Sequence, residues 1–355
     1  MEGQDIVRVH VIVPEGFDDP GQPTGGNIYD RRVCAGLAEA GWEVLVATVA
    51  AGPAGDSGDR AGLARAVSAV PDGETVLIDG LIASPAAAQL LPHTGRIRLV
   101  VLLHMPLATV AAAHHDAAAE RSERSVLRAA AAVVVTSEWT QRQVLAGDAI
   151  PAGQVHVARP GADRVAAPAR PLRDHLICVG VLSRHKGQDV LVEALAALAD
   201  RDWHCLLAGS LDRDPVFVEH LRSRITDLGY GHRVRLSGIL TGPALSDAYA
   251  TAGLLVAPSR AETYGMTVTE AFAHGLPVIA SAVGGLPEAF GATAEGSGPG
   301  QLVPPGDPAA LAAALADWLG DEDYRQRLRA AVRQRQPALR GWDQTTQEVA
   351  AALTA

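Results

Sequence analysis

One stretch of the chain, residues 254–288, limits the choice of fold more than any other. Leu254–Val256 is a short apolar run of the kind that forms a buried strand, and a second run follows at Val278–Ala280. A helical segment begins between them near Thr267, and Gly275 and Pro277 end it. Strands joined by a helix are typical of a parallel sheet covered by helices. The stretch therefore predicts an α/β fold.

Two glutamates flank the start of this predicted helix, eight residues apart. Glu262 lies in the loop and Glu270 in the helix, so both can face the crevice at the carboxyl ends of parallel strands, where open α/β sheets bind ligands. Carboxylates accept hydrogen bonds from hydroxyls, Gly265 permits close backbone approach, and a helix N-terminus favours phosphate. This combination suits a nucleotide sugar. The same residues also fit a surface loop with one solvated glutamate and one that complements the helix dipole.

The whole stretch resembles a known signature. Pro258–Glu288 follows the order PS-x-x-E-x-x-G-x-x-x-x-E-A-x-A-x-G-x-P-V-x-A-x-x-x-G-G-x-x-E. This order resembles the donor site of the family-four retaining glycosyltransferases. The resemblance implies the GT-B fold, an α/β architecture in which two Rossmann-like parallel-sheet domains face each other across a cleft. It also implies transfer of a sugar from a nucleoside-diphosphate sugar to a hydroxyl or amine, with retention of configuration.

The resemblance also implies roles for individual residues. Glu270 would hold the ribose hydroxyls, and Glu262 would bind the sugar and orient the donor. The donor site would include the residues between them, namely Thr263, Tyr264, Gly265 and Met266. The departing phosphate can take the acceptor proton, and this route is preferred to Glu262 as a covalent nucleophile. No metal or other cofactor is expected, because cations and helix dipoles neutralise the leaving diphosphate. A UDP-sugar is the favoured donor.

A second glycine-rich loop lies near the start of the chain. The apolar strand Val7–Val13 leads to Thr24, Gly25, Gly26 and Asn27, and a helix follows. The loop lacks the G-x-G-x-x-G turn, which disfavours a dinucleotide redox cofactor. It fits an ordinary turn, or backbone amides that approach a phosphate. Because the family has a glycine pair here against the donor diphosphate, the resemblance assigns Gly25, Gly26 and Asn27 to donor binding.

Two polar residues of the first half follow apolar strands. His104 comes directly after Leu99–Leu103, and Asp79 comes after Val76–Ile78, so both are expected at the carboxyl edge of a sheet. A histidine at the place of His104 contacts the donor sugar near the anomeric carbon in the family, which implies that role here. A hydrogen-bonded structural histidine is the alternative, and Asp79 equally fits a turn before Gly80.

Arg184 and Lys186 form a basic loop before a helix, where the dipole also attracts anions. Two exposed basic residues are the alternative. The family usually has an arginine and a lysine on the donor diphosphate at this place. Lys186 and Gly187 fit that pattern, but Val181 occupies the arginine position. Arg184, three residues further on, is the candidate to replace it.

Composition excludes several classes of function. The formal net charge of −10 argues against broad binding to nucleic acid or anionic membranes. The N-terminus has no basic segment typical of a signal peptide, and no apolar run approaches the roughly 20 residues of a membrane span. The three scattered cysteines indicate buried, reduced thiols. We therefore expect a cytoplasmic protein that acts on a small-molecule acceptor.

Three charged clusters are interpreted as ordinary surface. His114–Asp116 is predicted to be solvated, because adjacent histidines do not easily share one metal ion. Asp212–Asp214 is a D-x-D triplet of the kind that arises by chance in an acidic chain. A salt-bridged helix face is predicted from Glu120, Arg121, Glu123 and Arg124.

The predicted organisation is two domains. Residues 1–168 form a Rossmann-like acceptor domain and residues 172–339 a Rossmann-like nucleotide-sugar domain, with a linker at Ala166–Arg173. A last helix, about residues 340–355, is expected to pack back on the first domain. Three alternatives stay open: a sugar-nucleotide epimerase, a disaccharide phosphorylase of the same fold, and a non-catalytic sugar-nucleotide-binding subunit, which Val181 keeps open.

Overall fold

The computed structural model describes residues 7–52, 58–110, 116–148, 150–165, 172–291 and 298–355. The chain divides into two compact units, which we call the first and second units. The first unit comprises Met1–Asp19, Gly25–Gly161 and Trp342–Ala355. The second unit comprises Pro20–Thr24 and Ala162–Gly341.

The strands coincide with the apolar runs of the sequence. Those of the first unit are β1 (Arg8–Pro14), β2 (Glu43–Val49), β3 (Thr75–Asp79), β4 (Arg98–Leu103), β5 (Ala132–Val135) and β6 (Val155–Val157). Those of the second unit are β7 (His175–Val179), β8 (His204–Ala208), β9 (Val234–Gly238), β10 (Leu254–Ala257), β11 (Val278–Ser281) and β12 (Gly300–Val303). The sequence pattern did not mark β12, because it holds only two apolar side chains.

Helices alternate with these strands. The first unit has α1 (Gly25–Glu39), α2 (Arg60–Ser68), α3 (Gly80–Ala83), α4 (Ala87–Leu90), α5 (Leu107–Val110), α6 (Ala117–Ala129) and α7 (Glu138–Asp148). The second unit has α8 (Gln188–Ala196), α9 (Pro215–Asp227), α10 (Gly242–Thr251), α11 (Met266–Ala273), α12 (Leu286–Phe290), α13 (Pro308–Gly320) and α14 (Glu322–Arg335). The final helix, α15 (Trp342–Thr354), belongs to the first unit. Among the described helices, none has both the length and the apolar character to cross a bilayer.

The first unit is a parallel sheet with the strand order β2-β1-β3-β4-β5-β6. Apolar clusters cover both of its faces, and α1 contributes Tyr29, Val33 and Leu37 to one of them. The order of the strands reverses between β1 and β3. Chain segments leave such a point in opposite directions, which opens a crevice at the carboxyl ends of the two strands.

Helix α15 packs against α1 within the first unit. A Cβ atom at Gly36 would lie only 2.1 Å from Thr346 Oγ1, so the close approach of the two helices requires glycine there. Thr345 Oγ1 donates a hydrogen bond to the Arg159 carbonyl at 2.7 Å, which ties the helix to the segment after β6.

The second unit is also a parallel sheet, with the order β12-β11-β10-β7-β8-β9. Its strand order reverses between β7 and β10. Two buried tryptophans anchor its core: the Trp203 indole donates to the Leu198 carbonyl and the Trp318 indole to the Arg173 carbonyl. Each buried indole therefore keeps a hydrogen-bond partner, as burial of that group requires.

All three cysteines are free thiols. Cys178 and Cys205 are buried in the second unit, as predicted. Cys34 differs, because it lies on α1 and is only partly buried.

Candidate active site

The predicted donor residues of the second unit lie on the two loops at its reversal point. The loop after β7 carries Lys186 in a short 3-10 turn, and the loop after β10 carries Glu262. Lys186 Nζ lies 2.6 Å from Glu262 Oε2, so the two predicted donor ligands pair with each other. Gly187 closes the turn with a φ of 71°, and a Cβ there would lie 2.1 Å from the Pro258 carbonyl oxygen. The two loops therefore touch through their backbones, which requires glycine at position 187.

The start of α11 presents backbone amides at this place. Gly265 precedes the helix with a φ of 103°, and a Cβ there would lie 2.4 Å from Leu286 Cδ2. Met266 is the first helical residue, and Thr263 and Tyr264 are buried just before it. A first helical turn leaves N–H groups without partners inside the helix, and these favour an anion.

Glu270 lies one turn further along α11 and is half-buried. Tyr249 of α10 donates a hydrogen bond from its hydroxyl to Glu270 Oε2 at 2.9 Å, and His274 stacks on the Tyr249 ring at 4.7 Å. Burial raises the pKa of Glu270 to about 7, and Asp163 adds to the rise, while the Tyr249 hydrogen bond opposes it. The Tyr249 hydrogen bond fixes the orientation of the Glu270 carboxylate. A hydrogen bond from a ligand hydroxyl favours the ionised form of such a carboxylate and lowers its pKa.

Arg260, which the sequence did not single out, fastens the two loops together. Its guanidinium donates to both carboxylate oxygens of Asp189 at 2.7 Å and to the Arg184 carbonyl at 2.9 Å. Its backbone N–H also donates to the His185 carbonyl at 2.7 Å. Position 260 is a variable one in the signature, so the motif gave no signal for it.

The predicted replacement for the missing arginine is exposed. Arg184 begins the 3-10 turn, and within the described residues its side chain makes no hydrogen bond or ion pair. Val181, which occupies the family's arginine position, contributes its carbonyl oxygen to the Gln188 side chain at 3.1 Å. Of the two basic residues predicted to bind phosphate, the loop thus holds only Lys186 in place.

In the first unit, the glycine pair and His104 are neighbours. Gly25, Gly26 and Asn27 are the first residues of α1. A Cβ at Gly26 would lie 3.2 Å from His104 Cδ2, so the ring rests on the backbone where the helix begins. The edge of the Tyr29 ring also packs on His104, at 5.2 Å between ring centroids. The fold therefore brings together three predicted donor residues and the predicted catalytic histidine.

His104 belongs to a buried charged cluster with two aspartates. His104 Nε2 lies 2.8 Å from Asp30 Oδ1 and 3.9 Å from Asp79 Oδ2. Burial alone would lower the pKa of His104, but the charge and hydrogen bond of Asp30, with the charge of Asp79, raise it to about 9. Burial and the nearby Asp30 carboxylate raise the pKa of Asp79 above its usual range. His104 is therefore an imidazolium at neutral pH.

Asp79 also caps α3, because its side chain accepts a hydrogen bond from the Leu81 N–H at 2.6 Å. It is thus both the turn residue that one interpretation predicted and a member of the buried cluster. Asp30 was missed by sequence reasoning. It lies one helical turn after Gly26, and only the tertiary fold brings it to His104. Among the described atoms, Asp30 Oδ2 is buried without a hydrogen-bond partner.

The predicted salt-bridged helix face at residues 120–124 is only partly a surface feature. Arg124 pairs with Glu120 on the surface at 3.9 Å. Glu123, however, is buried, and it accepts hydrogen bonds from the Ser84 hydroxyl at 2.7 Å and from the Leu107 N–H at 3.1 Å. A buried carboxylate needs such partners, and Glu123 thereby holds the segment after β4 against α6.

The other charged clusters have local roles where the structure describes them. Asp214 caps the start of α9 by accepting from the Phe217 N–H, and Asp116 caps α6. His114 and His115 lie outside the described residues.

Comparison with known proteins agrees with this geometry. The family model described as "Glycosyl transferases group 1" matches residues 164–335. D-inositol 3-phosphate glycosyltransferase 1 of Catenulispora acidiphila is 34% identical over 251 residues, which cover 64% of this chain and 58% of that protein. Mannosylfructose-phosphate synthase of Agrobacterium fabrum is 32% identical over 117 residues, or 31% of this chain and 26% of that protein. The chain thus spans less than two thirds of the length of the curated relatives it matches.

Solved structures share the fold over nearly the whole chain. Sucrose-phosphate synthase from Thermosynechococcus elongatus has a TM-score of 0.79 at 24% identity, with 97% of this chain and 98% of that chain covered. HepE from Anabaena, solved with UDP and glucose, has a TM-score of 0.77 at 19% identity and coverages of 98% and 99%. Together with the two parallel sheets and the signature at 258–288, these matches identify the fold as GT-B. Residues 164–335 match the glycosyl transferase group 1 family, and this match covers just under half of the chain.

Proposed function

We propose that the chain transfers a sugar from a nucleoside-diphosphate sugar to a hydroxyl, or an amine, of a small-molecule acceptor, with retention of configuration and without a metal ion. One observation carries this proposal. Lys186, Glu262, the start of α11 and Glu270 lie together on the loops and helix that follow β7 and β10. Cation, helix amides and two carboxylates are the groups that a diphosphate joined to two polyhydroxylated rings requires.

In this proposal, Glu270 accepts hydrogen bonds from the ribose hydroxyls, and Tyr249 holds its carboxylate in place. Lys186 and the amides at Gly265 and Met266 bind the diphosphate. Glu262 accepts from hydroxyls of the transferred sugar. Lys186 and Glu262 neutralise each other before the donor binds. Donor binding then replaces this ion pair with a contact from Lys186 to the diphosphate and a contact from Glu262 to the sugar.

The first unit is assigned the acceptor and the reacting end of the donor. His104, an imidazolium fixed by Asp30, is a hydrogen-bond donor for the sugar or its leaving oxygen, and Gly25, Gly26 and Asn27 offer amides to phosphate. Charge stabilisation of this kind acts on the departing diphosphate, which then takes the acceptor proton. No side chain has to serve as general base.

The relatives support this choice of substrates. HepE has been solved with UDP-glucose, which favours a UDP-sugar as the donor. The relatives named for D-inositol 3-phosphate and for mannosylfructose phosphate act, by those names, on polyhydroxylated acceptors. We therefore favour a polyol or sugar hydroxyl as the acceptor.

A second candidate function is binding of a sugar nucleotide without turnover. The observation that favours it is Val181 in place of the family's arginine, with Arg184 exposed rather than held against Lys186. In that case the leaving diphosphate would be held but would lack part of the charge that its departure needs.

A thermal-shift screen with UDP, GDP, dTDP and ADP and their common sugars, each with and without EDTA, tests the proposal. A ligand at 100 times its dissociation constant stabilises the native state by about 2.7 kcal/mol. We expect a shift with UDP and a UDP-sugar, unaffected by EDTA and lost in Glu270→Gln. The matched control is Glu219→Gln, an exposed glutamate on α9.

Sugar transfer to a panel of polyols and sugar phosphates separates the two candidates. A shift followed by a new glycoside supports the transferase, whereas a shift without any sugar release supports the binding subunit. Absence of a shift with every nucleotide would exclude the donor site described above.

A further inference from the structure

Two histidines lie side by side at the amino end of the second sheet, away from the loops that carry the donor residues. His175 is the first residue of β7 and His204 the first residue of β8. They are direct partners in the parallel register, so their side chains leave the sheet on the same face. Their ring centroids are 5.2 Å apart and the ring planes are inclined by 31°.

Asp174 completes the cluster. Its carboxylate lies 3.3 Å from His175 Nδ1 and 3.9 Å from His204 Nδ1. Its carbonyl oxygen accepts a hydrogen bond from the His204 N–H at 2.8 Å, which fixes the backbone of both strands at this point. One ligand atom from each of the three residues lies within 4.8 Å of the other two.

We propose that Asp174, His175 and His204 form a binding site for one divalent transition-metal ion, with Zn²⁺ as the natural test ion. Two imidazole nitrogens and one carboxylate oxygen are a donor set that suits zinc and its neighbours in the first transition row. Bonds of about 2.0–2.2 Å bring three such atoms together on one ion. The set is unsuited to Mg²⁺ or Ca²⁺, which prefer oxygen ligands throughout.

Exposure of the three side chains fits this proposal. The side chains of Asp174, His175 and His204 are 33%, 40% and 53% exposed, so an ion reaches them without opening the fold. Water can fill the remaining coordination position, as it does in zinc sites with three protein ligands.

The site would stabilise the second unit rather than take part in the sugar transfer. It joins the first residues of two central strands. The neighbouring Arg173 carbonyl accepts the indole hydrogen bond of the buried Trp318 at 2.8 Å, so the same chain segment also anchors a core side chain. A bound ion would add a cross-strand link there, and its binding free energy would add to the stability of the folded state. The proposal does not rest on the function proposed above.

Titration calorimetry of the full chain with Zn²⁺, after removal of metals with EDTA and dialysis, tests the proposal. We expect the wild-type protein to bind one more equivalent of Zn²⁺ than His204→Ala and His175→Ala, and we expect Mg²⁺ to give no heat at this site. The matched control is His232→Ala, which removes an exposed histidine elsewhere in the second unit. Circular dichroism establishes that each variant is folded.

Two further measurements sharpen the outcome. Zn²⁺ should raise the unfolding temperature of the wild type and the His232→Ala control but not of His204→Ala. Co²⁺ should give the visible absorption of a nitrogen- and oxygen-ligated ion in the wild type alone. Equal Zn²⁺ stoichiometry in the wild type and both site variants would overturn the proposal, and the Asp174 carboxylate would then serve only as the hydrogen-bond partner of the His175 ring.

Discussion

The two units are built from the same number of parallel strands, yet they gather their polar residues differently. In the second unit the charged groups are paired between two short stretches of sequence, residues 186–189 and 260–262. In the first unit, Asp30, Asp79 and His104 come from three distant segments and meet in one buried cluster. The strand order reverses between β7 and β10 in one case and between β1 and β3 in the other. Both sets of residues lie next to the reversal point, so topology decides where such residues gather.

The largest expected effect is a loss of stability, and it differs between the units because their loops pack with different tightness. In the second unit, a Cβ at Gly284 would lie 1.8 Å from the Glu262 carbonyl oxygen, and φ is 58°. In the first unit, a Cβ at Gly26 would meet only the His104 ring, at 3.2 Å. A left-handed backbone and a backbone collision together predict a loss of about 4 kcal/mol for Gly284→Ala. Gly26→Ala should change stability by less than about 1 kcal/mol, because alanine also favours the helix.

Chemical unfolding of the two glycine variants measures this difference. We expect the loop at Gly284 in the second unit to be rigid and the start of α1 at Gly26 in the first unit to adapt. Equal decreases in the unfolding midpoint for both variants would contradict this difference. Gly26→Ala has a second readout, since displacement of the His104 ring should lower the rate of transfer.

The next effect compares a buried ion pair with a half-buried one. The side chains of His104 and Asp30 are 19% and 1% exposed, whereas those of Lys186 and Glu262 are 23% and 12% exposed. Loss of one partner of a buried pair typically costs about 3 kcal/mol or more. We expect Asp30→Ala to cost about 3 kcal/mol at pH 7, because Asp79 at 3.9 Å replaces the lost partner only in part. Lys186→Met should cost about 1 kcal/mol.

Asp30→Asn is the control for the first unit, since it keeps the volume and a hydrogen-bond acceptor while removing the charge. Unfolding at pH 7 in low and high salt checks both variants. A larger loss for Lys186→Met than for Asp30→Ala would reverse the comparison.

Sequence reasoning succeeded where the chemistry is local and failed where it is assembled by the fold. Glu262, Gly265 and Glu270 lie within nine residues, so a spacing pattern is enough to predict that they share one loop and helix. The alternation of apolar runs likewise predicted the parallel sheets. Asp30 carries no such pattern, because its partner is 74 residues away. The burial of Glu123 was not predicted for the same reason: its partners at Ser84 and Leu107 are neighbours only in space.

The pairing in the second unit could not be predicted either. Arg260 occupies a position that the signature leaves variable, and Asp189, 71 residues away, lies outside the signature. The cluster at Asp174, His175 and His204 was recoverable in principle. Each histidine begins an apolar run, and the strand order, once known, places the two runs side by side.

The pH dependence of stability should fall in different windows for the two units. His104 has a pKa raised from 6.5 to about 9, so its contribution is complete below pH 6.5 and is lost as pH rises through about 9. Glu270 has a pKa raised from 4.5 to about 7. The folded state therefore binds the extra proton between those values, and stability falls as pH rises from about 4.5 to 7.

Each window should be worth about 2 kcal/mol, because a shift of one pKa unit corresponds to about 1.4 kcal/mol and neighbouring groups share part of the titration. The groups that face His104 are Asp30 and Asp79, and those that face Glu270 are Tyr249 and Asp163. We would measure the unfolding free energy of each variant from pH 4.5 to 9.5. In His104→Asn it should no longer depend on pH above pH 6.5. In Glu270→Gln it should no longer depend on pH below pH 7. If both variants removed the slope in the same pH range, one of the two pKa shifts would belong to a different group.

The smallest effect asks whether the loops of the second unit depend on geometry or on charge. Arg260 holds Asp189 through two parallel hydrogen bonds and also donates to the Arg184 carbonyl, so its planar fork sets the distance between the loops after β7 and β10. Lysine keeps the charge but cannot make the fork. Arg260→Lys should therefore weaken nucleotide binding about 3–10-fold, at a stability loss of about 1 kcal/mol. Arg184 is exposed and makes none of the diphosphate contacts in the proposed function, so Arg184→Lys should bind the nucleotide as the wild type does. Calorimetric titration with the nucleotide identified by the thermal-shift screen measures both affinities.

If Arg184→Lys lost the affinity and Arg260→Lys retained it, Arg184 would be a bidentate phosphate ligand that moves inward when the donor binds. The second unit would then be the adaptable one, and its contrast with the preassembled cluster around His104 would be sharper still.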